Sequence, residues 1–191
     1  MKRRKAIIRI SMGAAGIALA AGGFEWYALN GRPDFVYLRN SRSLLAALSE
    51  TILPRTDTPG AKDANVQDFI VKMVEYCTIR KEQNRFISGL KDMQAFCKGR
   101  YGKDFEHCTG GQQQEAMAHF EEKGRPYKGI AGKLSYRYIG RSFFTLLKEY
   151  TVEGYCTSQA GATQGLAYAY IPGSFQGCIP LQPGQKAWAT N

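Results

Sequence analysis

The sequence predicts an all-α fold: a single helical domain with an ordered, Gly/Pro-rich C-terminal tail, preceded by an N-terminal export signal. Apolar residues recur at helical spacing through most of the 191-residue chain. No segment shows the sustained alternation and regularly spaced turns that strands require. The composition, 44% hydrophobic and 22% charged, is that of a globular protein with a core. We therefore expect a signal segment at 1–21, a connector at 22–42 and one helical domain at 43–191.

The signal segment lies in the stretch MKRRKAIIRISMGAAGIALAAGG. It combines a basic head, an apolar stretch at residues 10–21 and the small-residue cleavage motif Ala18-Leu19-Ala20, which is the three-part layout of an export signal. The apolar stretch is about a dozen residues long, whereas a helix needs roughly 20 to cross a bilayer. A removable signal is therefore favoured over a permanent span.

Arg3 and Arg4 form the pair that is typical of the twin-arginine pathway, which exports proteins already folded. Ala6 departs from this pattern, since a bulky apolar residue usually follows the pair. Two alternatives stay open. The segment could be an ordinary secretory signal with chance arginines, or an uncleaved anchor whose nearby aromatic residues lie at the bilayer surface.

Five apolar series predict the helices of the domain. They are Leu44, Leu48 and Ile52; Val66, Phe69, Ile70, Met73, Val74 and Cys77; Phe86, Leu90, Met93 and Cys97; Met117 and Phe120; and Tyr136, Ile139, Phe143, Leu146, Leu147 and Tyr150. Asn65 is placed to cap the second helix, and the last helix is expected from about Ser135. After Gly154 we expect one short helical turn near Leu166 and otherwise irregular chain, because Gly and Pro recur there.

The stretch SETILPRTDTPGA separates the first two predicted helices. Pro54 ends the first helix because proline cannot continue it, and Pro59-Gly60 redirects the chain into the second. Asp57 is expected to accept hydrogen bonds from the amides of the turn. The turn is therefore predicted to be architectural.

The chain has five cysteines, enough for two disulfides and one free thiol in an oxidising compartment. Cys156 and Cys178 bracket the irregular tail, and they are the preferred pair because a bond there would order a costly segment. Cys97 with Cys108 is a second candidate pair. Cys77 is expected to be buried on an apolar helical face.

Several classes of chemistry find no support in the sequence. The net charge is +10, but residues 1–9 supply half of it, and no basic run with interleaved aromatics follows, so we expect no nucleic-acid partner. The chain lacks a dinucleotide fingerprint, a CxxCH haem motif and metal-ligand spacing. We therefore expect no catalytic residue, cofactor or metal in this chain.

Two stretches resemble the gluconate 2-dehydrogenase subunit 3 family over about residues 43–180: ETILPRTDTPGA leading into NVQDFIVKMV, and EGYCTSQAGATQGLAYAYIPGSFQGC. The positions that carry over lie in the turn and the tail, and none is a catalytic residue type in a catalytic setting. They are Pro54, Asp57, Pro59 and Gly60, followed by Gly154, Tyr155, Ser158, Gly161, Pro172, Gly173 and Gly177.

The resemblance implies a non-catalytic small subunit of a periplasmic, inner-membrane-associated complex. Its partner would be a large FAD-binding subunit of the glucose-methanol-choline type that oxidises a sugar, sugar acid or polyol; a multihaem cytochrome c is commonly present as well. The resemblance also implies a twin-arginine signal on the small subunit, and the subunit would lend this signal to its folded partner. Membrane association would come through the complex or through an uncleaved signal.

The tail is the predicted docking surface for such a partner, because it is long and Gly-rich and its aromatic residues are expected to be exposed. The residues expected to contact the partner are Tyr155, Ser158, Tyr168, Tyr170 and Phe175. Two other functions stay open: an anchor that only tethers a complex to the membrane, and a free-standing secreted enzyme.

Overall fold

The computed structural model describes residues 29–125 and 140–171, together with 173, 177–178, 180 and 183–189. The helices are α1 (Phe35–Asn40), α2 (Arg42–Ile52), α3 (Val66–Lys72), α4 (Arg80–Tyr101), α5 (Gly110–Gly124) and α6 (Phe143–Thr157). A π-helical turn, π1 (Met73–Cys77), continues α3; a 3-10 turn spans Phe105–His107; a second π-helical turn, π2 (Gly161–Gly165), follows α6. Within the described residues, extended pairing is limited to one isolated bridge, so the prediction of an all-α fold is confirmed.

The predicted connector contributes to the packed domain. Its helix α1 begins after Asp34, whose side chain accepts a hydrogen bond from the Tyr37 amide at 3.0 Å and so caps the first turn. Leu38 on this helix is fully buried in the core. The helical packing therefore begins before residue 43.

Helix α3 begins at the predicted place but is not capped as predicted. Asn65 adopts left-handed backbone geometry, with φ 53°, and its side chain makes no capping hydrogen bond. Asparagine is one of the few residues that tolerate this geometry. Cys77, at the end of π1, is exposed, so the prediction that it is buried was wrong. A π-helical turn carries one residue more than an α-turn, which rotates Cys77 away from the apolar face.

Glycine and a capping box delimit the next two helices. Helix α4 stops at Gly102, whose left-handed φ of 69° lets its amide bond back to the Lys98 carbonyl. Helix α5 starts with a reciprocal pair: the Thr109 hydroxyl accepts from the Gln112 amide, and the Gln112 side chain accepts from the Thr109 amide at 3.0 Å. These signals set the bounds of both helices.

Helix α6 is shorter at its start than the apolar pattern predicts and longer at its end. Tyr136 and Ile139 lie outside the described residues, but Gly140 has a left-handed φ of 82°, and Ser142 caps the helix by accepting from the Thr145 amide. A helix running unbroken from Ser135 was therefore wrong. The left-handed geometry of Gly140 prevents a helix from running through residue 140, and the Ser142 cap starts α6 at Phe143.

The core forms around α6, which packs against α3, α4 and α5. Phe143 begins this helix between two other rings, 5.3 Å from the centroid of Phe86 and 6.0 Å from that of Phe120. Burying an aromatic side chain of this kind contributes roughly 2–3 kcal/mol. The fully buried large side chains are Phe86, Phe105, Leu38, Leu44, Leu45, Leu48, Ile70, Leu90, Met93, Leu146, Leu147 and Val66.

One partly buried ion pair ties α4 to the start of α6. The Glu82 carboxylate accepts hydrogen bonds from the Arg141 amide at 3.0 Å and from two nitrogens of its guanidinium at 3.2 and 2.8 Å. Burial alone would raise the pKa of Glu82, but these bonds and the charge of Arg141 outweigh it and hold that pKa below its usual 4.5. The pair holds the segment at Gly140 and Arg141 against α4, just before α6 begins.

We expect Glu82→Gln to destabilise the full chain by about 1–2 kcal/mol at neutral pH, because it removes the charge of a buried carboxylate from a partly buried, hydrogen-bonded pair. A folded-state pKa below the unfolded value of 4.5 means that the pair stabilises the protein above that pH and loses its effect as the pH falls. The gap between wild type and variant should therefore narrow as the pH falls below 4.5 and through the lowered pKa of Glu82.

The measurement is urea unfolding of both proteins across an acid pH series. Glu149→Gln is the matched control, since Glu149 pairs with the same arginine at 2.7 Å but is exposed, and it should cost well under 1 kcal/mol. A gap that stays constant with pH, or an equal loss in the control, would contradict the assignment.

Candidate functional site

The turn between α2 and α3 is organised by a carboxylate from the preceding helix. Glu50 accepts hydrogen bonds from the Arg55 amide at 2.8 Å and from the Lys62 amide at 2.9 Å. Asp57 was expected to bind turn amides, but the hydrogen bond that the structure gives its carboxylate comes from the Thr56 hydroxyl, at 3.0 Å. That expectation was wrong, because Glu50 reaches forward across the turn from α2 and takes the role. Helix α2 does end before Pro54, as predicted.

Gly60 is required in this turn by a close approach. A Cβ at this position would lie 2.5 Å and 2.6 Å from the Glu50 carboxylate oxygens and 2.8 Å from the Arg55 nitrogen. The Gly60 amide donates to the Asp63 carboxylate at 3.0 Å. The carboxylates of Glu50 and Asp63 thus accept hydrogen bonds from the backbone of the turn. Gly60 lies between them, where there is no room for a side chain.

Tyr155, near the end of α6, joins the tail to this turn. Its hydroxyl donates a hydrogen bond to the Pro59 carbonyl at 2.8 Å, across 96 residues of sequence. A Cβ at Gly165 would lie 2.5 Å from the Tyr155 hydroxyl oxygen, and one at Gly161 would lie 2.8 Å from its carbonyl carbon. The two separated motifs of the sequence therefore form one packing unit, which we call the turn–tail junction (residues 50–63 and 154–165).

Ser158 and Gly154 also make contacts within the turn–tail junction and with the helical domain. The Ser158 hydroxyl donates to the Tyr155 carbonyl at 2.7 Å and accepts from the Gly161 amide at 2.9 Å, which lets the chain turn from α6 into π2. A Cβ at Gly154 would lie 2.7 Å from the ring of Phe69 on α3. These contacts hold the start of the tail against the domain.

The predicted docking residues differ in exposure, and Ser158, like Tyr155, is half-buried. Tyr155 is half-buried and packs against the core, so the expectation that it is exposed was wrong. Tyr168 and Tyr170 are exposed at 46% and 85%. Phe175 lies outside the described residues. Sequence reasoning missed two further exposed apolar side chains in the tail, Ile171 at 80% and Trp188 at 53%, although such residues in a Gly/Pro-rich stretch are themselves a signal.

The tail folds back on itself at its described end. The Ala167 amide donates to the Ala187 carbonyl, and the Ala189 amide donates to the Ala167 carbonyl, both at 2.8 Å. This bridge places Trp188 beside residue 167, next to Tyr168. We call the four exposed side chains Tyr168, Tyr170, Ile171 and Trp188 the tail apolar set.

The other predicted positions have the following places. Arg3 and Arg4 lie outside the described residues. Cys156 is half-buried and Cys178 is exposed, and both are free thiols in the structure, so their pairing stays a prediction. In the part of the chain that the structure describes, no three His, Cys, Asp or Glu side chains come together as a metal site would require. None of the described helices is long and apolar enough to cross a membrane.

Comparison with known proteins gives one family. The family model for gluconate 2-dehydrogenase subunit 3 matches residues 39–173. This range includes both halves of the turn–tail junction. No curated protein and no solved structure matches the chain. The family match spans well over half of the sequence, and the chain therefore belongs to the gluconate 2-dehydrogenase subunit 3 family.

Proposed function

We propose that this chain is the non-catalytic small subunit of a flavin-dependent dehydrogenase complex, which oxidises a sugar, sugar acid or polyol in the periplasm. The family match over residues 39–173 carries the proposal. The catalytic partner is an FAD-binding subunit of the glucose-methanol-choline type, and a multihaem cytochrome c can complete the complex at the inner membrane. The chain itself contributes no cofactor.

The chain also lends its partner a route out of the cytoplasm. A non-covalent flavin is held by a folded pocket, so a catalytic subunit without its own signal must cross the membrane already folded. It must then be bound to a protein that carries an export signal. The arginine pair at Arg3 and Arg4 is an address of the kind that the folded-protein pathway reads. Binding and co-export are thus two parts of one role.

The tail apolar set supports the binding part of the role. Apolar and aromatic side chains at 46–85% exposure are costly to leave in water, and such residues form the centres of protein interfaces. The bond from Tyr155 to the Pro59 carbonyl holds the root of the tail to the folded domain. Because the start of the tail is already fixed, less conformational entropy is lost when the tail binds a partner.

Co-purification tests the proposal as a whole. A tagged chain recovered from cells under native conditions should bring down a flavoprotein with dye-linked dehydrogenase activity, whereas the chain alone should have neither flavin absorbance nor activity. Activity of the lone chain would support a free-standing enzyme instead. Recovery without a flavoprotein, with the N-terminus retained in the detergent fraction, would support a membrane anchor.

We expect Tyr170→Ser to weaken capture of the flavoprotein about tenfold, because tyrosines are enriched among the few interface residues that dominate binding energy. Tyr76→Ser is the matched control: Tyr76 is 75% exposed, but it lies outside the tail, in a groove that it lines with Arg39 of α1 and Arg42 of α2. Capture is measured as a titration of partner activity on immobilised chain. Equal effects of the two substitutions, or no effect of Tyr170→Ser, would place the interface outside the tail.

A further inference from the structure

Cys97 and Cys108 are brought together where α4 ends and the 3-10 turn follows it. Cys97 is 0% exposed and Cys108 is 8% exposed, and both belong to the main hydrophobic core. The Cys97 thiol lies close enough to the Cys108 thiol for the two groups to interact electrostatically. The Cys108 sulfur also contacts the Asp104 carbonyl oxygen at 3.4 Å. The other three cysteines differ, since Cys77 and Cys178 are exposed and Cys156 is half-buried.

The segment between the two thiols is held in place on both sides. The Gln94 side chain accepts from the Phe105 amide at 3.0 Å and donates to the Glu106 carboxylate at 2.9 Å. Lys98 and Asp104 form an ion pair at 3.0 Å. A disulfide demands a narrow range of separations between the two residues. Because these contacts hold residues 104–106 against the last turns of α4, the two cysteines can meet that demand with little movement.

We propose that Cys97 and Cys108 are a disulfide-forming pair, reduced in a reducing compartment and joined when the chain meets a disulfide oxidant. The Cys108 thiolate attacks a disulfide of the oxidant, forming a mixed disulfide and releasing one oxidant thiolate. The Cys97 thiolate then attacks the Cys108 sulfur and releases the second. The two cysteines lose two protons and two electrons, and the oxidant is reduced to two thiols.

The order of the two steps follows from exposure and from charge. Cys108 is the more exposed of the two residues, so the oxidant reaches it first. Burial, together with the neighbouring Cys108, raises the pKa of the Cys97 thiol to about 12, so Cys97 attacks slowly at neutral pH. Closure of the ring should therefore speed up as the pH rises. If the proposed export is correct, the bond forms after the folded chain has crossed the membrane.

The test uses the purified full chain, first reduced and then incubated with oxidised glutathione. Peptide mapping without reduction should recover the peptides of Cys97 and Cys108 cross-linked to each other. The oxidised protein should melt roughly 5–10 °C above the reduced protein, because the bond restricts the unfolded chain. Free Cys97, or Cys97 linked to any other cysteine, would overturn the pairing.

Single substitutions test the order of the steps. In Cys97→Ala the mixed disulfide cannot be resolved, so glutathione should stay attached to Cys108. In Cys108→Ala the buried Cys97 should remain unmodified, and in the control Cys77→Ala the bond should form as in the wild type. Glutathione on Cys97 in the second variant would overturn the proposal. Because oxidation in vitro needs no export, a chain found only in the cytoplasm would contradict the proposed function and leave this pair intact.

Discussion

Replacing Arg3 and Arg4 with lysine is expected to remove the partner's dehydrogenase activity from the periplasm while total activity in the cell stays similar. The substitution keeps both positive charges but removes the planar guanidinium groups, with their fixed fork of donors, that a receptor can recognise. The complex should still assemble, since the signal segment precedes the residues that match the family. Its activity should then accumulate in the cytoplasm, and we expect the periplasmic share to fall at least tenfold.

The measurement is dye-linked dehydrogenase activity in separated periplasmic and cytoplasmic fractions. Arg9→Lys is the control, because it makes the same exchange in the same segment but outside the pair. An ordinary secretory signal needs only a basic head and an apolar stretch, so it should tolerate the double substitution. Unchanged periplasmic activity would therefore rule out twin-arginine co-export and leave a purely structural role for the subunit.

Most of the helical framework could be predicted because it follows from local periodicity. The series from Phe86 to Cys97 is buried as expected. In the series from Val66 to Val74, Val66, Ile70 and Val74 are buried, whereas Phe69 and Met73 are half-buried. Predictions failed where one residue changed the backbone. Gly140 interrupts the pattern before α6, and π1 rotates Cys77 into solvent. The spacing of apolar residues in the sequence stays helical at both places. It therefore gives no sign of the left-handed residue or of the π-turn.

The turn–tail junction could be predicted only in part. Its residues stand out in the sequence as Gly, Pro and Tyr in two separate stretches, but their contact depends on the tertiary packing of α6 against α3. Sequence reasoning chose Asp57 for the turn because it lies inside it, whereas Glu50 reaches in from the preceding helix. It likewise placed Tyr155 on the surface, since an aromatic residue near a Gly-rich tail carries no local sign that its hydroxyl meets a carbonyl 96 residues earlier.

The close packing of α4 against α6 at Gly89 predicts a large loss of stability when this glycine is replaced. Gly89 lies inside α4 against the first residue of α6, and a Cβ there would come within 2.5 Å of the Phe143 Cβ and of its ring. Phe143 cannot retreat easily, because Phe86 and Phe120 pack on its other sides with centroids at 5.3 and 6.0 Å. Gly99 lies in the same helix with no atom within 4 Å of the position its Cβ would occupy. The two glycines therefore share a backbone conformation but differ in available space.

Gly89→Ala should consequently destabilise the full chain by about 2–3 kcal/mol, while Gly99→Ala should stabilise it by about 0.5–1 kcal/mol. Both substitutions gain the same helix propensity, so the difference in sign isolates the cost of pushing α4 and α6 apart. The measurement is denaturant unfolding of the two variants and the wild type, with the slope compared to show that the same surface is exposed. If Gly89→Ala were as stable as Gly99→Ala, the close approach of α4 to Phe143 would be wrong. A parallel loss in both variants would instead mean that α4 does not run unbroken through residue 99.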